Sequence, residues 1–443
     1  MREAKVSQAD HQLVRAIGVP GLTANIVNAT VGAGIFALPA GIALQLGAAS
    51  PIAYIICAVA MCLFVTCFAM AGSRVSLTGG LYAYVEVAFG RYVGFMAGAL
   101  YFLTAILAIS GIIALVATSI GALIPALATK PGHIAVILFI LLFLVTINIR
   151  GVRIGARAVE AVTLIKLAPL LIFVVAGFFF IRPEAIAWPG WPQGDALGRS
   201  VLYLLFAFVG VEIALVPSGE VKNPARTVPR AIYFSLGVTA LLYIMIQLVG
   251  LGLLGADLGK YGDTALAEAA ARFLGNIGRT MMLVGLAVSA FGWTASDILS
   301  SPRIIFAFGR DAFLPEWFAH VHPKFHTPDV AIITYAAAAF VLSFSSTFQK
   351  LAILSNMAVL LLYILCCLAA LELKRRDIRS DGAPFTFRGA IFVPVLAIIF
   401  IVWVLAHAKK DEFAITGVCL VVASLLFLIR EMQLRRARSN DKG

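Results

Sequence analysis

Two short stretches place glycine and proline where an apolar chain would otherwise run unbroken. Val31-Gly-Ala-Gly-Ile-Phe-Ala-Leu-Pro39-Ala-Gly41 lines up without gaps on Val209-Gly-Val-Glu-Ile-Ala-Leu-Val-Pro217-Ser-Gly219, offset by 178, with Val, Gly, Ile, Pro and Gly identical. Gly32, Gly34 and Pro39 let a helix give up hydrogen bonds. Unpaired backbone at membrane depth is tolerated only where it lines a cavity or is covered by protein. A half-helix restarting near Ala33 to Phe36 has free N–H groups and the positive end of a dipole, which makes a seat for a carboxylate. At the matching break around Val209-Gly210-Val211, the last carbonyls of the preceding half, from Phe206 through Ala207 to Val209, can accept from an ammonium group. Together the breaks would read an α-amino acid by its backbone. The candidate binding residues are Thr30, Gly32, Ala33, Gly34, Ile35, Phe206, Ala207, Val209 and Gly210. The competing reading makes Gly32, Gly34 and Gly210 small residues that let helices pack closely.

Three ionisable side chains fall inside apolar runs: Lys166, Glu212 and Asp297. Each costs ~3 kcal/mol or more to insert unless paired or hydrated, so each is a candidate for coupling or gating. Lys166 lies about two turns inside its run, too deep to snorkel easily. It could exchange a proton during a cycle, or stand as a fixed cation satisfying the carbonyls of a broken helix. Glu212 directly follows the second break, where it could pair with a cationic substrate or carry a proton. Asp297, in Trp293-Thr-Ala-Ser-Asp297, is either a third coupling group or the partner of a nearby polar group.

The elements that must position these residues are membrane helices. Of 443 residues, 61% are hydrophobic and only 13% charged, which leaves too few polar side chains to cover a water-soluble surface. Runs of the ~20 mostly apolar residues that a span needs occur at about twelve places. Their cores are 20–45, 51–72, 92–125, 134–149, 159–181, 199–217, 230–254, 279–302, 330–347, 351–372, 391–407 and 412–430. The third is too long for one perpendicular crossing, so a tilted helix entered from the segment Gly79 to Arg91 is expected.

An even number of spans puts both termini on one side. With the N-terminus in the cytoplasm, inner segments carry 24 of the 34 Lys and Arg residues and outer segments 9, Lys166 being the remaining one. The basic balance is therefore that of cytoplasmic membrane loops, and nucleic acid is discarded as a partner. Residues 1–17 are polar and lack a signal-peptide core, so the first helix is expected to stay in the mature protein. The six cysteines all lie in apolar runs as packing residues, with no metal spacing, and no cofactor is expected.

The offset of the two breaks shifts the first span onto the sixth. Five spans is an odd number, so the halves must run in opposite senses. The expected fold is an all-α polytopic membrane protein, a five-plus-five inverted repeat with discontinuous helices 1 and 6 and two further C-terminal helices. Its parts are a tail at 1–17, a transport core at 18–372 with repeats at about 18–181 and 199–372, a loop at 373–390, helices 11 and 12 at 391–432 and a tail at 433–443.

Further motifs accompany the breaks: Thr78-Gly-Gly-Leu-Tyr82-Ala-Tyr84 with Phe89-Gly90 and Gly94-Phe95; Phe206-Ala-Phe-Val-Gly210-Val-Glu212 with Glu220-Val-Lys222-Asn-Pro224-Ala-Arg226 and Pro229; Arg303 with Gly309-Arg310-Asp311-Ala-Phe-Leu-Pro315; and Pro384-Phe-Thr-Phe-Arg388-Gly389. In this order and spacing, over nearly the whole length, the chain resembles the amino acid, polyamine and organocation transporter superfamily. The resemblance implies that Gly32-Ala33-Gly34 binds substrate carboxylate, that Phe206 to Gly210 binds the amine, and that Phe206 is an aromatic gate. Lys166 matches a lysine that in some members occupies the place of a sodium ion and is proposed to couple protons. Glu212 matches an acidic position of antiporters for basic amino acids and their amines. Trp293 resembles a substrate-contacting tryptophan when a gap of one helical turn is allowed. Ile109 stands where some arginine-specific relatives carry a polar residue, which argues against arginine as substrate.

The function expected is secondary transport of an amino acid or related amine across a cell membrane by alternating access, proton-coupled and sodium-independent. An exchanger without net proton coupling is the nearest alternative. No Walker motif points to an ATP-driven pump. A channel would need a continuous polar pore, and a sensor on a transporter scaffold would need a sizeable cytoplasmic module.

Overall fold

The computed structural model describes residues 18–75, 81–151, 156–211, 224–310, 313–378 and 384–440. Among them the chain is helical, with no strand. The first apolar run is two helices. α1 (Val19–Thr30) starts with Pro20 in its first turn, where the missing N–H costs nothing, and stops at Thr30. After a gap of three residues, α2 (Gly34–Leu46) resumes and carries Pro39 internally. α3 (Ser50–Gly72) follows, and α4 (Leu81–Phe89) is joined through Gly90, at φ +85°, to α5 (Arg91–Leu123). At 33 residues α5 is about 50 Å long at 1.5 Å per residue, longer than the ~30 Å hydrocarbon core, as expected of a tilted span.

α6 (Lys130–Ile149) is capped by Thr129, whose hydroxyl accepts from the Gly132 N–H at 3.2 Å. α7 (Ala156–Gly177) contains Lys166 and Pro169. The sixth run begins as α8 (Gly194–Leu204) and tightens into a 3-10 turn at Leu205–Ala207. Next come α9 (Pro224–Leu254) and a 3-10 segment, Gly255–Thr264. α10 (Ala265–Ser300) is kinked at Gly275, φ +59°, so the expected eighth span is its second limb. α11 (Pro302–Arg310), α12 (Asp329–Ser345), α13 (Phe348–Arg375), α14 (Phe392–Leu405) and α15 (Lys410–Asn440) complete the order.

Six described helical stretches are long and apolar enough to cross a membrane, and three shorter helices are also strongly apolar. Large apolar side chains face outward as well as inward: Phe139 is 70% and Phe179 81% exposed, while Tyr54, Phe64 and Phe68 on α3 are fully buried. That distribution suits lipid rather than water around the protein. No disulfide joins the six cysteines.

The chain divides into two compact units that interleave in sequence. The first comprises Met1–Ala97, Ile172–Ala265 and Leu360–Ala408, and the second Gly98–Leu171, Leu266–Val359 and Lys409–Gly443.

Candidate functional site

Both breaks belong to the first unit, and the structure brings them together. At the end of α1 the Val31 N–H donates to Val27 O at 2.8 Å, and the Thr30 hydroxyl turns back onto Ile26 O at 2.8 Å, closing the last turn. α2 opens with the Phe36 N–H on Ala33 O at 3.1 Å. Between them, the N–H groups of Gly32, Ala33, Gly34 and Ile35 have no acceptor among the described residues. This is the array of orphan donors that a helix start presents to an anion.

Among the described residues, little stands close to Gly32: a Cβ added there would meet nothing closer than Thr30 O at 3.9 Å. Gly34 differs, since a Cβ there would lie 3.2 Å from Cδ1 of Phe206. The Phe206 ring therefore covers the first turn of α2.

In the sixth run, Phe208 and Val209 N–H groups both donate to Leu205 O, at 2.9 and 3.2 Å, which tightens the chain before Gly210. Gly210 has φ +112°, a conformation side chains strongly disfavour, and an added Cβ would be 3.3 Å from Ala29 O. The second break thus passes against the last turn of α1.

Sequence reasoning missed the residue that ties these breaks. Tyr243 of α9 is fully buried, and its hydroxyl lies 3.0 Å from Thr30 O and 3.0 Å from Ala207 O, sharing one hydrogen between the two. Its ring packs edge-on against Phe208, centroids 5.2 Å apart. One turn further along α9, Gln247 Nε2 donates to Pro39 O at 3.3 Å, and its Oε1 accepts from the Tyr54 hydroxyl of α3 at 2.9 Å. A single face of α9 therefore braces α1, α2 and the α8 turn at once. The available signal was two polar groups four residues apart, Tyr243 and Gln247, inside an apolar run.

The remaining candidates lie elsewhere. Lys166, Trp293 and Asp297 belong to the second unit. Lys166 is 8% and Asp297 9% exposed, and Trp293 is half-buried one turn before Asp297. Asp297 Oδ1 accepts from the Ser301 hydroxyl at 2.7 Å, and Oδ2 from the Tyr335 hydroxyl at 2.6 Å. Ile109 is fully buried in the same unit. Glu212 lies outside the described residues, as do the motif positions 76–80, 212–223 and 311–312. No cluster of His, Cys, Asp and Glu among the described residues is arranged to hold a metal ion.

The family model described as amino acid permease matches residues 17–425. The chain belongs to the amino acid permease family, within the amino acid, polyamine and organocation superfamily. The permease is 28% identical to the serine/threonine exchanger SteT of Bacillus subtilis, an alignment that covers 93% of this chain and 95% of SteT. It is 29% identical to the methylthioribose transporter of the same organism over 87% of this chain and 86% of that one. With the branched-chain amino acid permease BcaP, also of Bacillus subtilis, identity is 25% over 90% of each chain. The permease is thus a multi-pass membrane transporter and not an enzyme.

Proposed function

We propose that the permease carries an amino acid or related amine across the cell membrane by alternating access, coupled to protons and independent of sodium. The observation that carries this reading is the room at Gly32 and the four N–H groups there that have no acceptor among the described residues, beside the Gly210 turn. The N–H groups of Gly32, Ala33, Gly34 and Ile35 would take the substrate carboxylate. Carbonyls of the Phe206 to Gly210 turn would take the amine, and Phe206 would cover the seat. Relatives named for serine and threonine and for branched-chain amino acids support an amino acid as the cargo.

The five-plus-five inverted repeat of a twelve-span transporter gains support from the membership of the two units. Expected spans 1, 2, 6 and 7 fall in the first, spans 4, 8, 9 and nearly all of span 3 in the second, and spans 5 and 10 are each divided between them. Helices that the repeat makes equivalent thus share the same fate. The surplus of Lys and Arg on alternate loops supports cytoplasmic termini. Proton coupling would use an intramembrane ionisable group, with Lys166, Glu212 and Asp297 as the candidates.

A second reading, exchange without net proton movement, is favoured by the similarity to an exchanger. Uptake and counterflow of a panel of labelled amino acids and amines by proteoliposomes, with and without a pH gradient, separate the two. Accumulation driven by the pH gradient alone is expected. Uptake that needs internal substrate would establish exchange, and uptake that needs sodium would overturn the coupling assigned.

A further inference from the structure

Within the second unit, Asp297 is a buried carboxyl whose contacts are all with neutral groups. The hydroxyl of Ser301, the residue just past the end of α10, and the Tyr335 hydroxyl of α12 donate to its two oxygens, and no Lys, Arg or His among the described residues pairs with it. Tyr335 is fully buried and packs edge-on against Phe102 of α5, centroids 6.1 Å apart. The elements around the pair also carry Glu268 and Arg279 of α10, which pair with each other, Arg272 of α10, Asp329 of α12, which pairs with His320, Arg91 and Tyr92 of α5, and Arg310 of α11, and none of these is hydrogen-bonded to Asp297 or Tyr335. Tyr101 of α5 is close enough to act electrostatically on Tyr335, and Arg303 of α11 is exposed.

We propose that Asp297 is the group that binds the transported proton, with Tyr335 and Ser301 setting its affinity. The proposal rests on the proton-coupled reading above and names the group within it. When Asp297 is ionised, both hydroxyls donate to it. When a proton from water adds to one oxygen, the new O–H can donate to Tyr335 Oη or Ser301 Oγ, whose own hydrogen swings away. Both states are hydrogen-bonded, so the proton comes and goes with hydroxyl rotations alone and no covalent rearrangement. A purely structural partner for two hydroxyls could as well be an amide. What a carboxyl adds is a charge that a proton can switch off. Because Tyr335 belongs to α12 and Asp297 to α10, the switch also changes how firmly those helices are joined. On this assignment Lys166 is a fixed cation.

The first test needs no substrate. Infrared difference spectra of the full-length permease between acid and alkaline pH should show a protonated-carboxyl band that is absent from Asp297→Asn. In Tyr335→Phe, which removes a donor to the ionised form, the band should titrate about one pH unit higher, a tenfold tighter hold on the proton. The second test is accumulation driven by a pH gradient in proteoliposomes, expected to fall at least tenfold in Asp297→Asn and to persist in Lys166→Arg. An unchanged carboxyl band in Asp297→Asn, or accumulation by that variant with the parental pH profile, would overturn the assignment. If Asp297→Asn fails to fold, Tyr335→Phe and Ser301→Ala decide, and titration at the parental pH in both overturns it. A band that titrates as expected in a protein that takes up no amino acid supports the proton site while sinking the transport reading.

Discussion

Gly32 and Gly210 are both glycines at a helix break, yet the space around them differs. At Gly32 a side chain would find room, and that room is the proposed substrate seat; at Gly210 the backbone itself, at φ +112°, excludes one. Gly32→Val is therefore expected to abolish uptake with little change in melting temperature. Gly210→Ala should lower both, since forcing a side chain into that conformation costs about 1–2 kcal/mol before the contact with Ala29 O is counted. Uptake paired with thermal melting of the purified variants distinguishes them, and normal uptake by Gly32→Val would remove that glycine from the site. Tyr243 poses a different question, because one hydroxyl serves two buried carbonyls. Tyr243→Phe keeps the ring on Phe208 but leaves Thr30 O and Ala207 O without their donor, a loss of about 1–3 kcal/mol. Its KM for transport should rise, because the two breaks are no longer held at a fixed distance. An unaltered KM would confine Tyr243 to packing.

Among the elements, α9 is the one whose polar face organises the site. Tyr54, Gln247 and Pro39 O form a chain of hydrogen bonds across α3, α9 and α2, all buried, so removing the middle member strands the outer two. Gln247→Leu should destabilise the protein more than Tyr54→Phe. In a double-mutant cycle the pair should couple by about 1 kcal/mol, since the second loss is smaller once the first is made. Additive melting shifts would mean that the chain does not act as a unit. Helix breaks themselves were legible beforehand, because glycine and proline alter the backbone where they stand. The brace was not, since nothing in an apolar run says which helix a tyrosine will meet.

For the molecule as a whole, orientation is the property most directly open to test. Single cysteines at Arg150, Lys130 and Lys260, all exposed and at helix ends or between helices, should react with an impermeant reagent from one side only: Arg150→Cys from the cytoplasm, Lys130→Cys and Lys260→Cys from outside. Reversal at any position would undo the count of spans. Composition was enough to establish a polytopic helical protein, and the Gly and Pro residues between Gly32 and Pro39 to mark where the first apolar run opens. These are local matters, decided by hydrophobicity over ~20 residues and by backbone freedom at single positions. Tertiary structure alone decided that Tyr243 would bridge the breaks from a position 213 residues beyond Thr30, and that Asp297 would take Tyr335, 38 residues away, as its partner. Which buried hydroxyl satisfies which carbonyl or carboxyl depends on how distant helices pack, and in a chain where nearly every span is apolar, hydropathy carries no record of that choice.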